Sequence, residues 1–204
     1  MAYLLTNAEA RAAIGEELRT VDAAFGPPGP DNERFVEPGL KQLGLLHSAI
    51  EEALRLRTGS MTLRRVVQPF KFSAFDGRDY SLRQGDTLCL YPYLSHRDPE
   101  IFAEPEQYKF DRFYSAGQPR VFSKNGKRLT PPLMLFGGGV SMCPGRYMAM
   151  AEIKLLVALL LHRCELEVLD AHIPAPDLRR AGLGVLTPLG DMPIRYRLRQ
   201  PLTS

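Results

Sequence analysis

The sequence predicts a mainly α-helical chain with small β-sheets, on three observations. Apolar residues recur at helical spacing in the first twenty positions and again in "GLLHSAIEEALRLR". From Met61 to Leu94 the texture changes to short runs rich in β-branched and aromatic residues, divided by turn residues. Further on, Leu155 to Leu161 is apolar on nearly all sides within a long helix-forming stretch.

The elements follow in order. Leu4, Leu5, Ala8, Ala12, Ile14 and Leu18 define an amphipathic helix, restarted at Asn7 as an N-cap. "FGPPGPDNE" is a loop by its glycine and proline content, and "GLLHSAIEEALRLR" is a second helix. "TLRRVVQPFKF" and "YSLRQGDTLCLYPYL", joined by "DGRD", read as short strands and turns. Residues 97 to 135 are rich in proline, aromatics and charge with little regular pattern, so they are either disordered or held by function. Pro144 to Arg163 reads as the longest helix, buried and central. In the tail, Ile194, Tyr196 and Leu198 alternate with Arg195, Arg197 and Arg199, the pattern of a half-buried strand in a hairpin turning near Pro188 to Asp191. There is no internal repeat or low-complexity tract.

With 204 residues, 45% of them hydrophobic, the chain can build a core. A formal charge of +3 without a lysine/arginine block argues against nucleic acid as a partner. Cys89, Cys143 and Cys164 lie far apart, which excludes a disulfide framework or a CxxC zinc pair and suits a reducing compartment. The apolar parts of "MAYLLTNAEA" and "LLVALLL" are too short for a signal peptide or a membrane span.

The most informative stretch is "FGGGVSMCPGR", Phe136 to Arg146. The Walker pattern needs Gly-Lys-Ser/Thr, and the dinucleotide pattern needs a glycine where Met142 stands, so neither nucleotide reading holds. A nucleophilic cysteine needs a positioned base, and His47, His96, His162 and His172 lie in no recognisable partner motif. Two readings remain. Cys143 is a thiolate ligand to a metal, placed by Pro144 at a helix amino end that stabilises negative sulfur, with glycines 137 to 139 letting the backbone lie flat against a planar ligand such as haem. Alternatively, it is a buried, inert cysteine beside a capping loop.

Phe136, Gly139, Cys143 and Gly145 match F-x-x-G-x-x-x-C-x-G, and the chain here resembles the haem-thiolate loop of the cytochromes P-450. Ala149 falls where that family keeps a small residue against the porphyrin, and Gly137 belongs to the same flat loop. "EALR" supplies Glu52 and Arg55 as the family's E-x-x-R, and "FDRF" supplies Arg112 as its meander arginine. The resemblance implies that this trio is buried and structural, locking residues 97 to 135 beneath the haem. It covers essentially the whole chain as the carboxy-terminal segment of one cytochrome P-450 domain: ExxR helix, meander, haem loop, long helix and terminal β-hairpin. "DGRDYSLRQGDTLCLYPYLSHRDPEIFAEPEQYKFDRF" and "RRAGLGVLTPLGDMPIRYRLR" look most like the branch of sterol 7-alpha- and 12-alpha-hydroxylases and prostacyclin synthase.

The resemblance further implies a haem b cofactor, iron protoporphyrin IX ligated by the Cys143 thiolate. It implies a small lipophilic substrate hydroxylated with O₂ and electrons from NADPH-cytochrome P-450 reductase, or, in the prostacyclin synthase type, isomerisation of an oxygenated lipid without either. A full-length relative would sit on the cytosolic face of the endoplasmic reticulum membrane, held by an amino-terminal part that this sequence lacks. Arg64 aligns with an arginine that binds a haem propionate, whereas Ser141 stands where the other propionate often has an arginine or histidine. Substrate contacts are expected from Gly59, Ser60 and Met61 and from Leu186 and Thr187, whose plainer reading is turn and core packing. Lys124, Lys127 and Arg128 are candidates for docking an acidic reductase face. The Ala/Gly-Gly-x-x-Thr segment that delivers protons to bound oxygen in the family has no match. The chain is therefore expected to be a truncated product or a partial gene model, whose full-length relative continues upstream of Met1, and to show no oxygenation by itself.

Overall fold

The computed structural model describes residues 1–74, 76–115, 118–130, 133–182 and 184–199. Two helices in tandem open the chain, α1 (Ala2–Thr6) and α2 (Ala8–Phe25), divided at Asn7 as the sequence predicts. Asn7 has an extended backbone, and its side chain accepts a hydrogen bond from the Ala10 amide at 2.9 Å, which satisfies a donor with no intrahelical partner. Ala10, Ile14, Leu18 and Val21 form the buried stripe of α2.

After the proline loop comes a turn that the sequence pattern did not reveal. Phe35–Gly39 is a widened π turn, followed by the single turn α3 (Leu40–Gln42). Pro38 has no N–H to continue an ordinary helical ladder there, so local composition masks a helical path that packing of the buried Phe35 stabilises.

Helix α4 spans Gly44–Arg57, the whole of the predicted segment. Its first turn is capped from outside: the Glu17 carboxylate of α2 accepts hydrogen bonds from the Leu45 and Leu46 amides at 2.7 and 2.9 Å. Burial raises the Glu17 pKa, opposed by those amides and by Lys154. Gly44 is required beside this cap, because a β-carbon there would lie 2.5 Å from the Tyr114 ring.

Strands β1 (Thr62–Arg65), β2 (Phe70–Ser73), β3 (Asp79–Leu82) and β4 (Thr87–Leu90) form two separate antiparallel pairs, β1 with β4 and β2 with β3. A four-residue helix α5 (Pro92–Ser95) leads into the meander, where β5 (Tyr114–Ser115) pairs with β6 (Gln118–Pro119) and β7 (Ser123–Lys124) with β8 (Lys127–Arg128).

Helix α6 covers Arg146–Arg163, not Pro144–Arg163, with Gly145 as its N-cap. It is not buried all round. Lys154, Val157 and Ala158 face the core of α2 and α4, whereas Tyr147, Met148 and Leu156 are exposed. The tail also departs from expectation. β10 (Ile194–Leu198) pairs antiparallel with β9 (Cys164–Val168), not with a neighbour across Pro188 to Asp191, and all five of its residues are exposed instead of half-buried. Arg195 pairs with Glu167 and Arg197 with Glu165 across this ladder, so its charged face is matched strand to strand. The tail's own antiparallel contact is short, with Asp177 and Leu189 amides bonded to the Thr187 and Ala175 carbonyls.

Two apolar clusters organise these elements. One joins α1, α2, Phe35, α4 and α6, and the other packs Phe102, Phe113 and Leu133 inside the meander. Replacement of Glu17 by Ala uncaps α4 and is expected to cost about 1–2 kcal/mol in denaturant unfolding. Glu16→Ala, which removes only an exposed pair with Arg19, should cost less than about 0.5 kcal/mol in the same measurement.

Candidate functional site

Glu52 and Arg55 lie one turn apart on α4, and both are fully buried. The carboxylate is shared. Arg55 donates to it through Nε at 2.7 Å and a terminal nitrogen at 3.0 Å, and Arg112 donates through Nε at 2.7 Å. The Lys109 amide adds a further bond at 3.1 Å. The structure thus brings together all three residues that the motifs singled out, from segments 60 residues apart in the chain.

One carboxylate cannot neutralise two guanidinium groups, and main-chain carbonyls take up the remaining donors. Arg55 bonds to the carbonyls of His96 and Pro105, and Arg112 to those of Ala103, Glu104 and Gln107. These acceptors fold residues 96 to 107 around the two side chains, which orders a meander without helix or extended strand. The Arg55 guanidinium also stacks over the Phe102 ring at 5.1 Å.

His96 was not singled out by the sequence pattern. Its side chain is fully buried, and Nε2 accepts a hydrogen bond from the Met134 amide at 3.0 Å. Burial, reinforced by the positive charges of Arg55 and Arg97, lowers its pKa from 6.5 to about 4. No spacing rule links positions 38 residues apart, so the only legible sign was a histidine within a dense polar segment.

Beyond Met134 the chain enters the glycine loop. The Cys143 amide bonds back to the Phe136 carbonyl at 2.9 Å and the Met142 amide to that of Gly139 at 3.1 Å, closing a compact loop. Gly137 and Gly139 adopt φ of 77° and 61°, which L side chains seldom take. Cys143 is exposed, which overturns the reading of a buried, inert thiol; that description fits Cys164. The sulfur lies over the start of α6, 3.9 Å from where a β-carbon on Gly145 would stand, and Ala149 is half-buried one turn into the helix. Cys143 therefore sits just ahead of the helix cap, not in the first turn.

Val140 and Met142 are exposed around the thiol, and Phe136 is half-buried at the base of the loop. Among the described residues, no group of three or more His, Cys, Asp and Glu side chains converges on a metal position. Cys143 would therefore be a lone protein donor, which suits a metal that brings its other ligands with it. Haem fits these residues: one exposed sulfur, glycines in place of side chains beside it, and the exposed apolar Val140 and Met142.

Arg64 of β1 is half-buried and reaches the Gly138 carbonyl at 3.4 Å, while Arg65 points to solvent. Ser141 is exposed. Gly59, after α4, is bonded backbone to backbone with the tail: its amide to Gly184 at 2.8 Å and its carbonyl to the Gly182 amide at 2.6 Å. Ser60, Met61 and Thr187 retain accessible surface, but Leu186 is buried against Gly59, where a β-carbon would meet its side chain at 2.6 Å. In this structure Leu186 is engaged in packing, the plainer of its two readings. Lys124 is also committed, to Asp98 and, at 3.5 Å, to Glu100. The hydrogen bond it donates to the Asp98 carboxylate raises its pKa.

The site is thus an exposed cysteine that closes a glycine loop just ahead of a long helix, beside a meander ordered by buried charge. The cytochrome P450 sequence profile matches residues 1–193, and the chain belongs to that family. It is 38% identical over 201 residues to human 7-alpha-hydroxycholest-4-en-3-one 12-alpha-hydroxylase, covering 96% of this chain and 40% of that protein. It is also 38% identical to human prostacyclin synthase, covering 97% of this chain and 40% of the relative. With rat 25-hydroxycholesterol 7-alpha-hydroxylase the identity is 38%, covering 98% and 49%. The chain thus spans less than half the length of these relatives. A zebra fish cytochrome P450 solved with abiraterone superposes with a TM-score of 0.70 at 22% identity, over 98% of this chain and 43% of that one, which shows that the fold is part of the cytochrome P450 fold.

Glu52→Gln leaves two buried guanidinium groups without a counter-charge and is expected to destabilise the chain by about 3–5 kcal/mol in chemical denaturation. The pH dependence follows from His96. Between about pH 6.5 and 4 the unfolded state binds the proton and the folded state does not, so stability falls as pH drops through that window, by about 3 kcal/mol. His96→Gln should flatten this portion of a stability-versus-pH curve.

Proposed function

We propose that this chain forms the thiolate-bearing part of a haem-dependent monooxygenase that hydroxylates a sterol or related lipid. The observation that carries the reading is Cys143, exposed at the end of a loop in which Gly137 and Gly139 take positive φ and leave one side free of β-carbons. Haem b, when bound, supplies oxygen activation, with thiolate electron density favouring O–O cleavage. Phe136, Gly137, Gly139, Gly145 and Ala149 would lie along the macrocycle, and Arg64 would hold a propionate. Ser60, Met61 and Thr187 would meet the substrate from the turn after α4 and from the tail.

One oxygen atom enters the substrate C–H bond and the other leaves as water, with electrons drawn from NADPH through NADPH-cytochrome P-450 reductase. Lys124, Lys127 and Arg128 would supply the docking charges, with Lys124 already paired to Asp98 and Glu100 and Arg128 exposed on β8. The identity to two sterol hydroxylases supports a lipophilic ring substrate and a working location at the endoplasmic reticulum membrane, although no helix among the described residues is long and apolar enough to cross one.

A second reading is favoured by the equal identity to prostacyclin synthase: isomerisation of an oxygenated lipid on the same thiolate-bound haem. Product formation from candidate lipids that requires NADPH, reductase and O₂ supports hydroxylation, and product formed without them supports isomerisation. Absence of turnover under both conditions identifies an inactive fragment. Cys143→Ser is expected to abolish the thiolate signature of the ferrous carbonyl spectrum, whereas Cys89→Ser and Cys164→Ser should retain it. A thiolate spectrum surviving in Cys143→Ser would refute the ligand assignment.

A further inference from the structure

Among the described residues, a hydrogen-bonded route leads from the buried charge cluster toward the cysteine loop through His96, beside the apolar packing of Phe102 on Leu133. The main-chain carbonyl of His96 is gripped by Arg55, and its amide bonds to the Pro92 carbonyl at 2.8 Å. The His96 backbone is therefore fixed on the charge cluster. Its imidazole then holds the Met134 amide through Nε2 at 3.0 Å, two residues before Phe136. Phe136 accepts from the Cys143 amide, and the Met134 side chain reaches Gly138, where an added β-carbon would lie 3.0 Å from its Cε.

We propose that His96 is the positioning residue for Cys143, an acceptor that fixes the segment entering the glycine loop to the buried Glu-Arg-Arg cluster. The role requires the neutral imidazole with the proton on Nδ1, since Nε2 must keep its lone pair for the amide. The surroundings of the ring favour neutrality. Arg55 from α4 and Arg97 from the meander face it with positive charge, and Nδ1 is buried without a hydrogen-bond partner among the described residues. A protonated ring would turn a second donor toward the Met134 N–H and break the link.

A residue that merely fills space would be replaced by Phe without consequence for one amide. Gln fills less of the site but places a carbonyl oxygen near the position of Nε2. The test compares His96→Gln and His96→Phe in the full chain by amide hydrogen exchange resolved at Met134 and Cys143. Amides of α4 at Leu46, Ala49 and Ile50 serve as a global reference. The expected result is near-native protection at Met134 and Cys143 in the Gln variant and a loss on the order of ten-fold in the Phe variant, with the α4 reference unchanged. Native protection at Met134 in the Phe variant, equal loss in both variants, or a uniform loss that includes α4 would overturn the proposal.

This readout needs no haem, and only its consequence rests on the reading of Cys143 as an iron ligand. After haem loading, the Gln variant should keep the thiolate form of the ferrous carbonyl spectrum, while the Phe variant shifts toward the protonated thiol form. An exchange pattern as expected, in a wild-type chain lacking any thiolate spectrum, would uphold the positioning role and refute the haem reading. A thiolate spectrum unchanged in the Phe variant would refute positioning of the sulfur.

Discussion

One carboxylate shared by two arginines is the interaction on which the rest of the structure depends. Glu52 is removed from water and stands between Arg55 and Arg112, at 2.7 Å from each. Such a group is costly to bury and tolerable only when its hydrogen-bonding capacity is filled. The excess positive charge makes the arrangement productive. Guanidinium donors left over after the ion pair recruit main-chain carbonyls, and those carbonyls belong to the residues that would otherwise have no regular partners. The cluster is less a source of net stability than a template that gives an irregular segment one path to follow.

The chain then proceeds outward in layers. Helix α4 carries two members of the cluster and is itself seated on α2 through the Glu17 cap. The meander wraps the cluster and packs its own aromatic core, where Phe102 stands edge-on to Phe113 with ring centroids 6.1 Å apart. The cysteine loop comes last, hung from the meander at His96 and Met134 and continuing into α6. Each layer is built on hydrogen bonds to the one before, so the position of the sulfur is inherited from a carboxylate far from it in sequence.

Much of this was legible in the sequence, because it depends on short-range patterns. The Asn7 break, the full extent of α4 and the paired strands between Met61 and Leu94 follow from capping, helical period and turn residues. Motif spacing brought out Glu52, Arg55, Arg112 and Cys143. What escaped depends on contacts distant in sequence. The π turn at Phe35–Gly39 is hidden by proline in a loop-like composition. The partner of the final strand lies before the tail, so alternation identified a strand but not its neighbour. His96 carries no period or spacing signal at all. Leu186 looked as available as Thr187, and only the missing side chain at Gly59 shows why one is packed and the other is not.

The junction at Gly59 has a further consequence for how such a chain can change over evolutionary time. The turn after α4 and the tail segment are joined by main-chain bonds, Gly59 to Gly184 and Gly182 to Gly59, with Leu186 seated in the space that glycine leaves open. Main-chain bonds are indifferent to the side chains that flank them. Positions 60, 61, 185 and 187 can therefore be exchanged in size and polarity while the frame that carries them keeps its shape. Novelty at those four positions is cheap, and novelty at Gly59 or Leu186 is not, so a lineage built on this junction can vary the surface it carries without passing through an unfolded ancestor.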